Sequence, residues 1–154
     1  MNLILWRHAE ADDASGDGDD MTRALTARGQ RQAKRIAGWL DRHLPDDAQV
    51  LASPALRAEQ TAKALERKFK TQGELAPDGT VAQLLDLVQW RGGSSTFLVV
   101  GHQPVLGETV ARLLGIESGQ CAIRKGALWW LRQRPDRDGE PRTTVVAVLG
   151  PDLI

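Results

Sequence analysis

Two of the chain's three histidines and two of its arginines stand where a phosphoryl group could be bound and attacked. Arg7 and His8 directly follow the first apolar run, Arg57 follows the second run, and His102 follows the third. In open α/β sheets ligands bind at the carboxyl ends of the strands, so we expect these four residues to meet. A neutral imidazole can attack phosphorus to give a phosphoramidate, and arginine forks can hold the phosphoryl oxygens. The combination indicates phosphoryl chemistry.

Each of these residues taken alone also fits a purely structural role. Arg57 is predicted in the first turn of a helix, where the helix dipole disfavours a cation by about 0.3–1 kcal/mol unless an anion binds there. The alternative, favoured for this residue in isolation, is a surface arginine paired with Glu10 or Glu59. A single histidine more often hydrogen-bonds a loop carbonyl than performs chemistry. His43, near the end of the first helix, is assigned no chemistry.

Strands and helices alternate along the chain and must position these residues. Strands are predicted at 1–6, 49–52, 96–100, 127–132 and 143–149, the last two around a polar turn at 135–139. A first helix is predicted at 26–44 with Thr26 as N-cap, and a second from Ser53-Pro54 onward, with the apolar stripe Ala58, Ala62, Leu65 and Phe69. Two more are predicted, one around Val81 to Val88 and one along Leu106 to Leu114 with Gly115 as C-terminal cap. This order predicts a three-layer α/β/α sandwich, with a mostly parallel sheet and helices on both faces.

Composition restricts the possible classes of protein. The chain has 154 residues, of which 42% are hydrophobic and 26% charged, so we expect one domain over residues 1–154. Its formal net charge of zero gives no support for nucleic-acid or anionic-membrane binding. No apolar run approaches the roughly 18 residues of a membrane span. Cys121 is the single cysteine, which excludes an intramolecular disulfide or a thiolate metal site and suits a reducing cytoplasm.

Four motifs together resemble a known enzyme family. They are Arg7-His8, Arg23-x-Leu25-Thr26-x-x-Gly29, Ser53-Pro54-x-x-Arg57-x-x-Gln60-Thr61 and Gly101-His102. Their order and spacing, across most of the chain, resemble the first branch of the histidine phosphatase superfamily, which has the phosphoglycerate-mutase-like fold. The small size and the runs Leu56 to Thr61 and Val99 to Pro104 are most similar to the SixA-type protein-phosphohistidine phosphatases.

The resemblance implies a role for each matching residue. His8 would be the nucleophile that becomes phosphorylated, while Arg7, Arg57 and His102 would form the phosphate pocket and Arg23 a further contact. No metal and no organic cofactor is implied. The implied substrate is a phosphorylated protein of the histidine phosphotransfer type, from a histidine-to-aspartate relay.

The chain departs from the broader family pattern at two points. Ala9 stands where most members have glycine after the Arg-His pair, as in the SixA-like subset. The general acid that protonates a leaving alkoxide is a glutamate in many members, and Glu74 is the nearest match, with Asp78 as a second candidate. Without an acid, phosphoesters should be poor substrates, whereas a phosphoramidate would still react.

Three other interpretations remain open on the sequence alone. One is a phosphatase of the same chemistry that acts on a small phosphoester, and another is a non-catalytic phosphate-binding module. In the third, His8 and His102 are metal ligands, which the nearby arginines and the lack of a spaced third ligand disfavour. The acidic stretch 12–20 is expected to be a mobile, solvated loop, although it is placed to touch a protein partner.

Overall fold

A six-stranded sheet forms the centre of the molecule in the computed structural model, which describes residues 1–13 and 18–154. The strands are β1 (Asn2–Arg7), β2 (Gln49–Ala52), β3 (Lys70–Thr71), β4 (Thr96–Gly101), β5 (Leu128–Pro135) and β6 (Pro141–Leu149). Their order across the sheet is β3-β2-β4-β1-β5-β6. The first four strands along the chain are parallel, β5 is antiparallel to β1, and β6 is antiparallel to β5. The carboxyl ends of β1 to β4 therefore lie at one edge.

Helices cover both faces of this sheet. They are α1 (Ala27–His43), α2 (Leu56–Lys63), α3 (Val81–Leu87) and α4 (Val105–Leu114). Ile4 and Trp6 of β1 belong to a core with α1 and α2, whereas Leu3 and Leu5 belong to a second core with α3 and α4. Alternate residues of a strand point to opposite faces, which explains this division. The predicted three-layer α/β/α sandwich is confirmed.

The segment that follows β1 packs against the first turn of α1. The Thr26 hydroxyl accepts a hydrogen bond from the Gly29 amide and caps the helix, as predicted. Gly29 packs directly against the backbone of Glu10, and a methyl group added at Gly29 would overlap the Glu10 carbonyl oxygen. The first turn of α1 thus supports the backbone that leaves β1.

The second helix is shorter than predicted. It begins at Leu56, after Ala55, and it ends at Lys63. Ser53 therefore lies before the N-cap position; its hydroxyl accepts a hydrogen bond from the Ala55 amide at 3.1 Å. Leu65 and Phe69 follow the helix but pack into the same core, which is why their apolar spacing resembles a continued helix.

Three other elements differ from the sequence prediction. The edge strand β3 was not predicted, because two exposed residues are too few to show a strand pattern. Strands β5 and β6 extend until Pro135 pairs with Pro141, so the turn lies at 136–140. In the acidic stretch 12–20, residues 14–17 lie outside the described structure, while Asp20–Thr22 forms a short 3₁₀ helix.

None of the helices in the described part of the chain is long and apolar enough to cross a membrane.

Candidate active site

His8 lies immediately after β1, at the edge where the parallel strands end. Its backbone amide donates to the Gly101 carbonyl at 3.0 Å, which joins it to the end of β4. The Nδ1 atom of its ring lies 2.7 Å from the Ala9 carbonyl oxygen. A carbonyl oxygen only accepts hydrogen bonds, so Nδ1 carries the proton and Nε2 carries the lone pair. In this tautomer Nε2 has the lone pair that a nucleophile requires.

The surroundings of His8 keep its ring neutral. The pKa of His8 is lowered to about 4, mainly by burial and then by the positive charges of Arg57, Arg7 and Lys125. The hydrogen bond to the Ala9 carbonyl acts in the opposite direction and raises this pKa. At neutral pH the imidazole is therefore uncharged, with a lone pair of the kind that can attack phosphorus.

His102 lies beside His8, with 5.2 Å between the two ring centroids. Its Nδ1 is 3.4 Å from Nη2 of Arg57, and its Nε2 is 2.7 Å from the Ser53 hydroxyl oxygen. A guanidinium only donates, so Nδ1 accepts and Nε2 donates its proton to Ser53. Burial, and then the neighbouring His8 and Arg57, lower the pKa of His102 to about 3.

Arg57 is the cation at the centre of the site. It occupies the first turn of α2, as predicted, but only 3% of it is exposed. Its Nη1 donates to the Asp20 carbonyl at 2.7 Å, and its Nη2 donates to the Asp20 carboxylate at 3.0 Å. The interpretation of Arg57 as a surface partner of Glu10 or Glu59 is wrong, because the residue is buried and pairs with Asp20.

Arg7 is the second cation, with Arg57, near His8. Its Nη1 donates to the Ile123 carbonyl at 2.8 Å. Burial, followed by the positive charge of Arg57, lowers the pKa of Arg7. The Nε–H groups of both arginines are buried and have no hydrogen-bond partner within the part of the chain that the structure describes. An unpaired buried donor costs about 1–3 kcal/mol, so these two donors favour a bound oxyanion.

Asp20 and Ser53 are the site residues that sequence reasoning missed. Asp20 stands in a stretch whose composition resembles solvated surface, and Ser53 was assigned to a helix cap. The hydrogen bond to Arg23, and then the one to Arg57, lower the pKa of Asp20, against a desolvation of the carboxylate that raises it. The only sequence signal for Asp20 is its place three residues before Arg23, the spacing of their ion pair.

Among the described residues, Arg23 and Glu74 form no hydrogen bond with either histidine of the cluster. Arg23 donates to the Asp20 carboxylate at 3.0 Å and to the Asp12 carbonyl at 2.8 Å, so it reaches Arg57 through Asp20. Glu74 is exposed, in the short 3₁₀ helix Gly73–Leu75 that follows β3 at the same edge of the sheet. Within the described ranges, no hydrogen bond or ion pair joins Glu74 or Asp78 to the four clustered residues.

The described residues include no group of three or more His, Cys, Asp or Glu side chains that could hold a metal ion. The charge in the cluster is supplied by guanidinium groups, which suits an oxyanion and opposes a bound cation.

Comparison with known proteins identifies the family. Residues 3–78 match the model of the histidine phosphatase superfamily (branch 1). The Phosphohistidine phosphatase SixA homolog of Haemophilus influenzae is 32% identical over 130 residues, which cover 75% of this chain and 78% of that protein. The chain belongs to the histidine phosphatase superfamily. Phosphohistidine phosphatase SixA of Escherichia coli is also 32% identical, over 73% of this chain and 74% of that protein.

Solved structures of this superfamily share the whole fold. The protein histidine phosphatase SixA complexed with tungstate has a TM-score of 0.80 and 27% identity, with 99% of each chain covered. Mycobacterial glucosyl-3-phosphoglycerate phosphatase, at 16% identity and a TM-score of 0.70, shares the fold alone. The chain is thus a SixA-like phosphatase of phosphoglycerate-mutase-like fold, and an enzyme is favoured over a non-catalytic phosphate-binding module.

Proposed function

We propose that this phosphatase hydrolyses phosphohistidine in proteins through a covalent phosphohistidine on its own His8. The observation that carries the proposal is the fixed tautomer of His8: the Ala9 carbonyl holds the proton on Nδ1 at 2.7 Å and leaves the Nε2 lone pair free. Arg7, Arg57 and His102 form the phosphate pocket around it. The similarity to relatives named as phosphohistidine phosphatases supports this choice of substrate.

The reaction consists of two displacements at phosphorus. In the first, Nε2 of His8 attacks, the new N–P bond forms, and the N–P bond to the substrate imidazole breaks. The released imidazole nitrogen takes a proton from water. In the second, water attacks the phosphorus of the phosphoenzyme, the N–P bond breaks with its electron pair returning to Nε2, and inorganic phosphate leaves. The proton lost by the attacking water neutralises the hydroxide left by the first step. Arg7 and Arg57 neutralise the charge on the phosphoryl oxygens in both transition states.

The other assignments belong to the same proposal. Arg23 makes a further contact to the substrate, and Glu74 supplies the proton when the leaving group is an alkoxide. The catalytic unit is the single domain 1–154, it needs no metal or organic cofactor, and it acts in the cytoplasm on a protein of the histidine phosphotransfer type. Hydrolysis of a small phosphoester is the alternative.

Substrate choice and metal dependence are tested together. The purified protein, with excess chelator, is incubated with a phosphohistidine-bearing protein or with an aryl phosphate, and phosphate release is followed. We expect fast release from phosphohistidine, slow release from the ester, and loss of both in His8→Ala. His43→Ala, which alters the histidine outside the cluster, should retain full activity. Dominant ester turnover would assign the enzyme to small substrates, and inactivity without metal would contradict the mechanism.

A further inference from the structure

An open groove of about 700 Å³ lies directly beside the proposed phosphate pocket. One wall is the segment that precedes β5, and the other is formed by the end of β6 and the residues that follow it. Trp129, Val148 and Leu153 give the groove an apolar surface. Val148 is 47% exposed and Leu153 is 78% exposed, although both are large apolar side chains. Apolar surface left open in a groove is typical of an interaction site.

The groove reaches the proposed phosphate pocket at Arg7. Arg7 lines it, and the same side chain donates to the Ile123 carbonyl in the wall of the groove. The Gly126 amide donates to the carbonyl oxygens of both Arg7 and His8, at 3.2 and 3.0 Å. A chain bound in the groove would therefore lie against Arg7 and beside the backbone that carries His8.

The charges around the groove are strongly biased, although the whole chain is neutral. Four cationic side chains line it, and Asp152 is the one acidic side chain among the described lining residues; the cationic ones are Arg7, Arg28, Arg124 and Lys125. Arg28 is partly neutralised by Glu10 at 3.4 Å, whereas Arg124 and Lys125 are exposed. Complementary charge speeds encounter and selects partners, so this surface fits an acidic one.

We propose that this groove binds an acidic, amphipathic segment of the protein that carries the phosphohistidine. Apolar side chains of the segment pack on Trp129, Val148 and Leu153, and its carboxylates face Arg124 and Lys125. The inference rests on the proposed function for its phosphohistidine, but the groove itself is assigned from its own charges and apolar surface. Such binding would favour a protein substrate over a free phosphoramidate.

The test compares two peptides and one small substrate. The peptides have the same length, one phosphohistidine and the same leucines, but their polar positions hold glutamate in one and lysine in the other; the small substrate is free phosphohistidine. We expect the wild-type kcat/KM to be at least tenfold higher for the glutamate peptide than for the lysine peptide at low salt. Arg124→Glu and Leu153→Asp should each reduce this ratio to below threefold and change turnover of free phosphohistidine by less than twofold.

Matched controls and a binding assay distinguish failure of the groove assignment from failure of the proposed function. Arg137→Glu, at the exposed β5–β6 turn, and Ile116→Asp, 37% exposed after α4, make the same chemical changes outside the groove and should leave the ratio intact. An unchanged ratio in Arg124→Glu and Leu153→Asp would overturn the groove assignment. Failure of wild type to cleave free phosphohistidine would instead contradict the proposed function. In that case, fluorescence anisotropy of the unphosphorylated glutamate peptide still tests whether the groove binds it. We expect the Kd of this peptide to rise at least fivefold in Arg124→Glu.

Discussion

Arg57 is held by an acidic residue before any substrate arrives. The carboxylate and the carbonyl of Asp20 both accept from its guanidinium, so Asp20 occupies donors that a phosphoryl group would use. The pKa of Asp20 is lowered, and the residue is therefore an anion at neutral pH. In the proposed mechanism, an anion at this position would compete with the phosphate of the substrate for Arg57.

Removing this charge should tighten the binding of oxyanions. We expect Asp20→Asn to lower the inhibition constant of inorganic phosphate by about three- to tenfold at low salt, because about 1 kcal/mol of charge repulsion disappears. Asp19→Asn is the matched control: it removes the same charge one residue earlier, and asparagine keeps the cap that Asp19 gives to Met21. An inhibition constant that rises in Asp20→Asn, or falls equally in both variants, would contradict competition at Arg57.

The proposed acid affects only substrates with poor leaving groups. We expect Glu74→Gln to lower kcat for an alkyl phosphoester by about 100-fold or more, because a positioned general acid contributes about that much. Turnover of phosphohistidine should stay within twofold, since its imidazole leaves without this proton. Asp78→Asn serves as the comparison, and a loss confined to that variant would transfer the role to Asp78. Equal kcat values in all three proteins would show that neither carboxyl group is the acid.

The sequence predicts the cationic cluster well and its acidic partner poorly. Arg7 ends its strand, while His8 and His102 follow theirs, and parallel strands bring such positions together by topology alone. Asp20 reaches Arg57 through a loop, and loop paths have no periodic pattern that a sequence shows. For this reason the sequence suggests Glu10 or Glu59 as the ion-pair partner of an isolated Arg57, and not Asp20.

At the scale of elements, the contact between the β1 exit and α1 supports the backbone next to His8, the proposed nucleophile. The backbone leaving His8 continues to Glu10, whose carbonyl packs against Gly29 and accepts from the Thr26 amide at 3.0 Å. A side chain at position 29 must push this backbone aside. The glycine in the Arg23-to-Gly29 motif is therefore required by close packing.

Two glycines of the same helix should respond in opposite ways. We expect Gly29→Ala to destabilise the protein by about 1–3 kcal/mol, because its methyl group overlaps the Glu10 carbonyl. Gly38→Ala should stabilise it by about 0.5–1 kcal/mol, since no atom lies within 4 Å of an added methyl group there. Urea unfolding measures both changes. Equal effects of the two substitutions would contradict the packing of α1 on the β1 exit.

Elements with a long, regular pattern were predicted closely, and short ones were not. The predicted bounds of helix α1 match the observed helix together with its two cap residues, because its 17 residues have one clear apolar face. Helix α2 was predicted to start too early and to end too late, since Leu65 and Phe69 reach the same core from outside the helix. Residues outside the helix therefore have the same apolar spacing as residues within it.

At the scale of the whole molecule, folding buries two neutral histidines among cations. The pKa values of His8 and His102, about 4 and about 3, lie below the ordinary value near 6.5. Between these values the unfolded chain binds protons that the folded protein does not. The free energy of unfolding therefore falls as pH falls through 6.5 and continues to fall until the folded-state pKa values are reached.

This linkage predicts a loss of stability in mild acid. Between pH 7 and pH 5 we expect the two histidines together to lower the free energy of unfolding by about 2–4 kcal/mol. Urea unfolding of wild type and of the double variant His8→Gln, His102→Gln at both pH values measures this loss. The double variant should lose correspondingly less, and an equal loss in the two proteins would contradict the neutral, buried state of the pair.

The most direct test of the central claim is to trap the phosphoenzyme. Wild type mixed with a phosphohistidine-bearing protein is quenched in base within milliseconds, digested, and analysed by mass spectrometry and ³¹P NMR. We predict an acid-labile phosphoryl group on Nε2 of His8, absent in His8→Ala and unaffected by chelator. Turnover without any phosphorylated His8, or with the label on another residue, would contradict the account.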